Sequence, residues 1–345
     1  MRLYCQAKLG RIRPSGRRSD TLRHVRDVEH PGWALNLISA GRLQPGERAL
    51  VVVDEPLAEQ GSALAAAVRD AGGEPQLELW AGNRPLAAPP PSIGAAAAQS
   101  DIYFFLAQEP RPDEAGARIA LNDISGAHGG RAVFLGFVDR ELLEGELSQP
   151  PAELAEAARK LLADVEGAET VRIRGRAGTD LTLKVAGRSW LTDATPLEPG
   201  DFANYPGGEI YIAPLADGAD GVLVADLTVP YTVEGLVDQP VMLRFEGGSV
   251  QSIEGGRAAE LLNEIVESAG PSGRVIAELG IGLNPSIVPR GHVMLDEKAA
   301  RTAHVAIGNN VGSYGGTNES SIHVDCVFSE PQIEVDGRSV EIPVP

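Results

Sequence analysis

The sequence sets His323 and Asp325 one residue apart in the segment His-Val-Asp. On a strand, Val324 points to the opposite face, so the imidazole and the carboxylate share one face with their Cα atoms roughly 6.5–7 Å apart. Side chains converging from that distance can grip one metal ion. A lone pattern of this kind also suits a hydrogen-bonded strand histidine. His304 lies 19 residues upstream of His323, and the intervening Gly308, Gly312, Gly315 and Gly316 make a loop whose backbone can approach a ligand closely.

Two further islands set a glutamate among apolar residues. Glu209 opens a strand in NYPGGEIYIAP, and Glu278, in IAELGIGLNP, follows a strand-like run and precedes glycines. With Ile276, Ala277, Leu279 and Ile281 around it, Glu278 is costly to bury unpaired, so it either meets a metal or an arginine or turns outward. Glu297 in LDEKA reads as an acid at a helix start, favoured there by the dipole, with a general base as the second option. Arg290 in VPRGH carries the planar fork that holds a substrate carboxylate through two bonds, or is a plain surface arginine. Asn309, Asn310 and Asn318 either line a pocket or cap turns. His292 reads as exposed, His128 in GAHGG as a weak candidate for substrate contact, and the sequon at Asn318 as one that a cytoplasmic chain does not use.

These residues need a scaffold. The apolar run Ala49 to Val53, the helical pattern from Leu57 to Ala71 ended by Gly72 and Gly73, and the strand Gln76 to Trp80 make a βαβ unit. Ile102 to Ala107 and Arg131 to Phe137 add strands, which predicts an open, mainly parallel α/β sheet over residues 31–167. The turn after Val53 has neither GxGxxG nor GxxxxGK[ST], which argues against a nucleotide site. After an amphipathic helix from Pro151 to Glu166 the texture changes to short strands with close turns, interrupted by the helix Arg257 to Ser268. Residues 168–345 are therefore expected to form a β-rich α+β domain that carries the metal-binding residues. Residues 1–30, rich in arginine and without periodicity, read as a basic appendage.

The 345 residues are 43% hydrophobic and 23% charged, enough for two domains with real cores. A net charge of −18 and a pI near 4.8, without a basic stripe beyond the first 26 residues, argue against nucleic acid. No run of about 18 apolar residues predicts a membrane span, and the basic opening lacks the apolar core of a signal peptide, so a cytoplasmic location is expected. Two cysteines, Cys5 and Cys326, are too few for a thiolate zinc site, and any metal must be held by His, Asp and Glu.

The series NYPGGEIYIAP, AELGIGLNP, DEKAARTAHVAIGNN and GGTNESSIHVD, in this order, resembles the C-terminal half of the M29 family of metallo-aminopeptidases, over roughly residues 195–340. The resemblance implies that Glu209, Glu278, His304, His323 and Asp325 are ligands of two divalent ions with a shared carboxylate. It also implies a homodimer with enclosed sites, a small peptide or amide substrate, and Glu278 as a catalytic residue. The family's peptidases place a tyrosine seven residues after the histidine matching His304. Here that position is Val311, and Tyr314, three residues on, is the candidate to replace it. The same family includes Fe(II) oxygenases that open hydroxylated pyridine rings, with histidine where this chain has Glu278. Carboxylate-rich N/O ligation suits zinc, cobalt or manganese and supports amide hydrolysis, whereas a single ion at His323, Asp325 and one further ligand would suit Fe(II). Hydrolysis is the expected activity, with the oxygenase and a non-catalytic binding protein as alternatives.

Overall fold

A computed structural model describes residues 30–108, 111, 114–148, 153–194 and 196–343. The basic appendage expected over residues 1–30, with Cys5, lies outside the described residues apart from His30. Among the described residues no helix is long and apolar enough to cross a membrane.

The first unit begins with helix α1 (Gly32–Ala40), then strand β1 (Arg48–Val53), α2 (Ala58–Asp70), β2 (Glu74–Leu79), α3 (Pro91–Ala97), β3 (Ile102–Ala107), α4 (Ala115–Gly126), β4 (Arg131–Gly136) and α5 (Arg140–Glu144). Its strands are parallel, in the order β2-β1-β3-β4, and β3 is buried along its whole length, as a sheet covered on both faces requires. Leu64, Ala67 and Val68 of α2 face one side of the sheet together with Trp33 and Leu37 of α1. Ile93 of α3 and Leu121 of α4 face the other.

The second unit takes in α6 (Ala155–Val165), β5 (Thr170–Arg174), β6 (Asp180–Lys184), β7 (Leu191–Thr192), β8 (Phe202–Asn204), β9 (Glu209–Ile212), β10 (Ala219–Ala225), β11 (Val241–Glu246), β12 (Ser249–Glu254), α7 (Arg257–Ala269), β13 (Ile276–Gly282), α8 (Val293–Asp296), β14 (Thr302–Gly308), β15 (His323–Ser329), β16 (Gln332–Val335) and β17 (Arg338–Val340). One sheet runs β12-β11-β10-β6-β5-β16-β17 and the other β15-β14-β13-β9-β7, with antiparallel pairing throughout. Both sheets bury one face in a common core with α6 and α7. The α/β region followed by a β-rich region is thus the architecture expected.

The division near residue 168 is crossed in both directions. Ala158, Leu161 and Val165 of α6 pack into the second core, because its apolar stripe has no partner in the first. Conversely, β8 returns to the first sheet and pairs parallel with β4. A strand of three residues carries too little pattern to reveal that pairing in advance.

Away from the junction, the first unit buries the carboxylate of Glu114 completely. Glu114 accepts from Arg84 Nε at 2.8 Å and Nη2 at 2.6 Å, from the Leu86 amide at 2.9 Å and from Trp80 Nε1 at 3.1 Å. Burial pushes its carboxyl up, but these donors outweigh burial and hold it at about 2. The stability it contributes is therefore present above the ordinary value of 4.5 and lost as pH falls toward about 2. Replacing one member of a buried pair strands the other, so Glu114→Gln is expected to cost about 3 kcal/mol at neutral pH and to flatten the acid limb of stability, both read by denaturant unfolding.

Candidate metal centre

Strand pairing sets the site. Glu278 on β13 lies opposite Ala306 on β14, which lies opposite Asp325 on β15. Gly280 is opposite His304, Gly308 opposite His323, and Gly282 opposite Glu209 on β9. Opposed residues of an antiparallel sheet share a face, so all five expected ligands emerge on one face of one sheet. Leu279, Ile281, Val305, Ile307, Val324 and Cys326 fill the other face, within the apolar core. The alternation that buries this core is what gathers the polar set.

Several of the residues opposite or beside the ligands on this face are very small: Gly280, Gly282, Ala306 and Gly308. A Cβ on Gly280 would stand 2.0 Å from His304 Cε1 and 2.3 Å from its Nε2, so the imidazole lies directly over a glycine backbone. His304 Nε2 is 3.2 Å from Glu278 Oε1, 3.7 Å from Glu209 Oε2 and 3.9 Å from Asp325 Oδ1. His323 Nε2 is 3.3 Å from Glu278 Oε2 and 3.2 Å from Asp325 Oδ1. Glu278 thus turns one oxygen to each histidine. The side chains of His323 and Asp325 are 24% and 16% exposed against 1% for His304, so the cluster opens to solvent at the β15 end.

Three groups have ligand atoms close enough to hold an ion: Glu209 with Glu278 and His304, Glu278 with His323 and Asp325, and Glu297 with His304 and Asp325. Each contains one histidine, and the first two share Glu278.

The donor set fits a cation. His323 Nδ1 donates to the Asn309 carbonyl at 2.7 Å, which leaves Nε2 of a neutral ring as a lone pair facing two carboxylate oxygens. Only a proton or a metal ion between them relieves that contact. Glu209 Oε2 is buried with no hydrogen-bond partner among the described residues. Without metal, protons take the role: burial pushes the His304 ring down, but its hydrogen bond to Glu278 and the charges of Glu209 and Asp325 outweigh burial and carry it to about 10. His323 is likewise pushed up, its burial outweighed by Asp325 and Glu278. In return Asp325, despite burial, is held at about 2 by His323.

Three residues of the cluster escaped the sequence reading. Lys298 is fully buried, with Nζ 2.5 Å from Glu209 Oε1, 3.1 Å from Glu297 Oε1 and 3.1 Å from Asp193 Oδ2. Tyr211 follows Glu209 by two positions on β9 and shares its face. Asp193 accepts the Gly208 and Glu209 amides at 2.7 and 3.0 Å. A signal existed for Lys298: the chain has 30 basic residues of which only four are lysines, and none other follows Lys184. Glu297 is not the helix-start acid expected. It follows α8 at its C-terminal end, where the dipole disfavours a carboxylate, and is buried against Lys298 instead.

Other expected roles change. The Arg290 fork makes a two-bond ion pair with Glu146 of the first unit, at 3.0 and 2.6 Å, rather than standing open to a substrate carboxylate. Asn310 is 1% exposed and braces the loop instead of lining a pocket: Nδ2 points to the Ala277 carbonyl at 3.3 Å and Oδ1 accepts the Asn318 amide at 2.8 Å. Asn318 Nδ2 is used internally, on the Gly308 and Ser272 carbonyls. His292 is partly buried and bonds the Phe137 carbonyl, and His128 bonds the Ser100 carbonyl. Val311 precedes a 3₁₀ turn, Gly312–Tyr314, which carries the Tyr314 ring to 5.2 Å from the His323 ring and 5.8 Å from that of Tyr211.

A family model described as 2,5-dihydroxypyridine 5,6-dioxygenase matches residues 129–342. The chain belongs to that family. Within this M29-like group, it is 29% identical over 179 residues to Aminopeptidase T of Thermus aquaticus, covering 46% of this chain and 43% of that protein. It is 28% identical over 186 residues to Aminopeptidase AmpS of Bacillus subtilis (strain 168), covering 48% and 44%. The matched segment is therefore less than half the length of these aminopeptidases. To 2,5-dihydroxypyridine 5,6-dioxygenase of Pseudomonas putida it is 25% identical over 214 residues, covering 56% and 61%. The solved dioxygenase from Pseudomonas putida KT2440 superposes with a TM-score of 0.71 at 18% identity, over 93% of this chain and 96% of that one. Wild-type AmpT from Thermus thermophilus superposes at 0.67 and 17% identity, over 93% and 97%. These superpositions establish the M29-like fold, and activity has to be argued from the site.

Two outcomes follow from the geometry. Gly280→Ala should leave the fold intact yet weaken divalent-ion binding about 10- to 100-fold, because the new methyl displaces His304; calorimetric titration with circular dichroism checks both parts. In chelator, stability contributed by His304 is complete below its ordinary value of about 6.5 and lost as pH rises through about 10. The Tm of metal-free protein should therefore fall across that interval, and a flat profile contradicts the protonated-histidine arrangement.

Proposed function

We propose that this protein is a two-ion metallohydrolase that cleaves an amide or N-terminal peptide bond of a small substrate. The observation that carries the reading is the carboxylate of Glu278: it offers one oxygen to each histidine, while none of the three ligand groups takes both histidines. Such a carboxylate would be shared by two ions, with Glu209 and His304 holding the deeper one and His323 and Asp325 the outer one. Charge supports the same count. The cluster holds five carboxylates, on Asp193, Glu209, Glu278, Glu297 and Asp325, and one ammonium, on Lys298, which with all five ionised and the imidazoles neutral leaves four negative charges, the charge of two divalent ions. Oxygen and imidazole donors without thiolate suit zinc, cobalt or manganese.

Bound there, such ions supply Lewis acidity toward a carbonyl and a water acidified to a pKa near 7. The protein's own groups do the rest. Asn309 and Tyr314 fix the His323 ring, one through its carbonyl and the other by packing. Glu297, whose carboxyl burial raises, is the group suited to accept a proton from water and return it to the leaving amine. Tyr314, kept protonated by burial and by Glu278 close by, is the candidate donor to a developing oxyanion. The acidic cluster favours a substrate with a free amino group.

The Fe(II) dioxygenase reading is favoured by the description of the matching family model. It calls for a two-histidine, one-carboxylate set on one ion, and the separation of His304 from His323 into different groups weighs against it.

Metal analysis and paired assays decide between them. Wild type should bind two divalent ions and release nitroaniline from aminoacyl-nitroanilides, and Glu278→Gln should lose one equivalent together with about 100-fold or more of turnover. One iron per chain with oxygen uptake on hydroxypyridines overturns the hydrolase in favour of the oxygenase.

A further inference from the structure

The ammonium of Lys298 donates to Glu209 Oε1 at 2.5 Å and to Glu297 Oε1 at 3.1 Å, and stands 3.1 Å from Asp193 Oδ2 as an ion pair. Its side chain is fully buried, which closes it off from a substrate. Its main chain is equally committed, since the Lys298 carbonyl accepts the Leu283 and Asn284 amides at 3.1 and 2.8 Å, which ties the residue to the end of β13. Asp193 closes a ring: one oxygen takes the Gly208 and Glu209 amides, and the other faces Lys298. Glu209 is thereby held at both ends, by Asp193 at its amide and by Lys298 at Oε1, while its second oxygen stays unpartnered 3.7 Å from His304 Nε2.

We infer that Lys298 is a built-in counter-cation that aims the free oxygen of Glu209 at the deeper ion position, and so determines whether that position fills. It is a positioning residue and does not touch substrate. The inference rests on the two-ion reading and adds an asymmetry to it. Among the described residues, Glu278, His323 and Asp325, which would form the outer position, make no hydrogen bond or ion pair with Lys298, so the two ions should depend on the lysine unequally.

Titration of full-length, chelator-stripped protein with Mn²⁺ alone, followed by calorimetry and elemental analysis, tests this. Wild type should take two equivalents. Lys298→Met should keep one at wild-type affinity and bind the other about 10- to 100-fold more weakly, the range expected when a partner that orients a ligand is removed. A merely structural lysine would lower the Tm equally with and without Mn²⁺ and leave both affinities unchanged, which overturns the inference. Should Lys298→Met fail to fold, Asp193→Asn/Lys298→Met removes one charge of each sign, keeps the Asp193 acceptor oxygen, and is expected to show the same unequal loss. Wild type that binds no ion overturns the two-ion reading and this inference together. Wild type that binds two, with the folded variant matching it, overturns this inference alone.

Discussion

Carboxylates crowded on a dry sheet face repel one another and pay desolvation, and they coexist only where cations stand between them. In this protein one cation is permanent, the ammonium of Lys298, and the remaining positive charge comes from protons on His304 and His323 or from metal ions. The competition between those two sources links the cluster's charge to its ligand-binding capacity. An imidazolium satisfies the carboxylates electrostatically but has no lone pair at Nε2 to offer, so loading the site with metal requires releasing the protons that hold the metal-free site together.

The sheet makes this arrangement affordable. Strands β13, β14 and β15 present Leu279, Ile281, Val305, Ile307, Val324 and Cys326 to the core on one face, so the polar face is carried by a rigid, well-packed platform. On the polar face Gly280, Gly282, Ala306 and Gly308 stand opposite or beside the ligands. Their lack of bulk lets imidazole and carboxylate lie flat against the backbone instead of projecting into solvent. A larger side chain at Gly280 would occupy the volume of the His304 ring itself.

Among the described residues, no side chain of the first unit joins the three groups, but the unit leans on the edge of the site. The ion pair of Arg290 with Glu146, the bond from His292 to the Phe137 carbonyl, and the edge-on contacts of the Phe137 ring with His292 and Tyr231 all cross the junction. Asp296 anchors the segment from which they start. Its carboxylate accepts the amides of Arg290, Gly291 and His292 and the Thr228 hydroxyl, so the short helix α8 and the chain leading to Glu297 and Lys298 are held in one position. Those charges therefore reach the cluster on a braced loop.

Local pattern determined much of this protein. Short strands with close turns marked the β-rich half, strand geometry put His323 and Asp325 on one face, and the βαβ signature announced the parallel sheet. The apolar surroundings of Glu278 announced a carboxylate needing a partner. What the sequence could not carry was register and partnership across distance. That Gly280 sits under His304, that Glu278 divides its oxygens between two histidines, and that Lys298 rather than an arginine meets Glu209 are consequences of how β9, β13, β14 and β15 align. Residues that looked available, such as Arg290 and Asn310, were claimed by Glu146 and by the β13 backbone, contacts between segments 144 and 33 residues apart. Glu297 shows the limit most plainly. Its neighbours suggest a helix start, yet burial beside Lys298 is decided only when the loop after α8 closes over the sheet, because a charge's environment belongs to the tertiary fold and not to its adjacent residues.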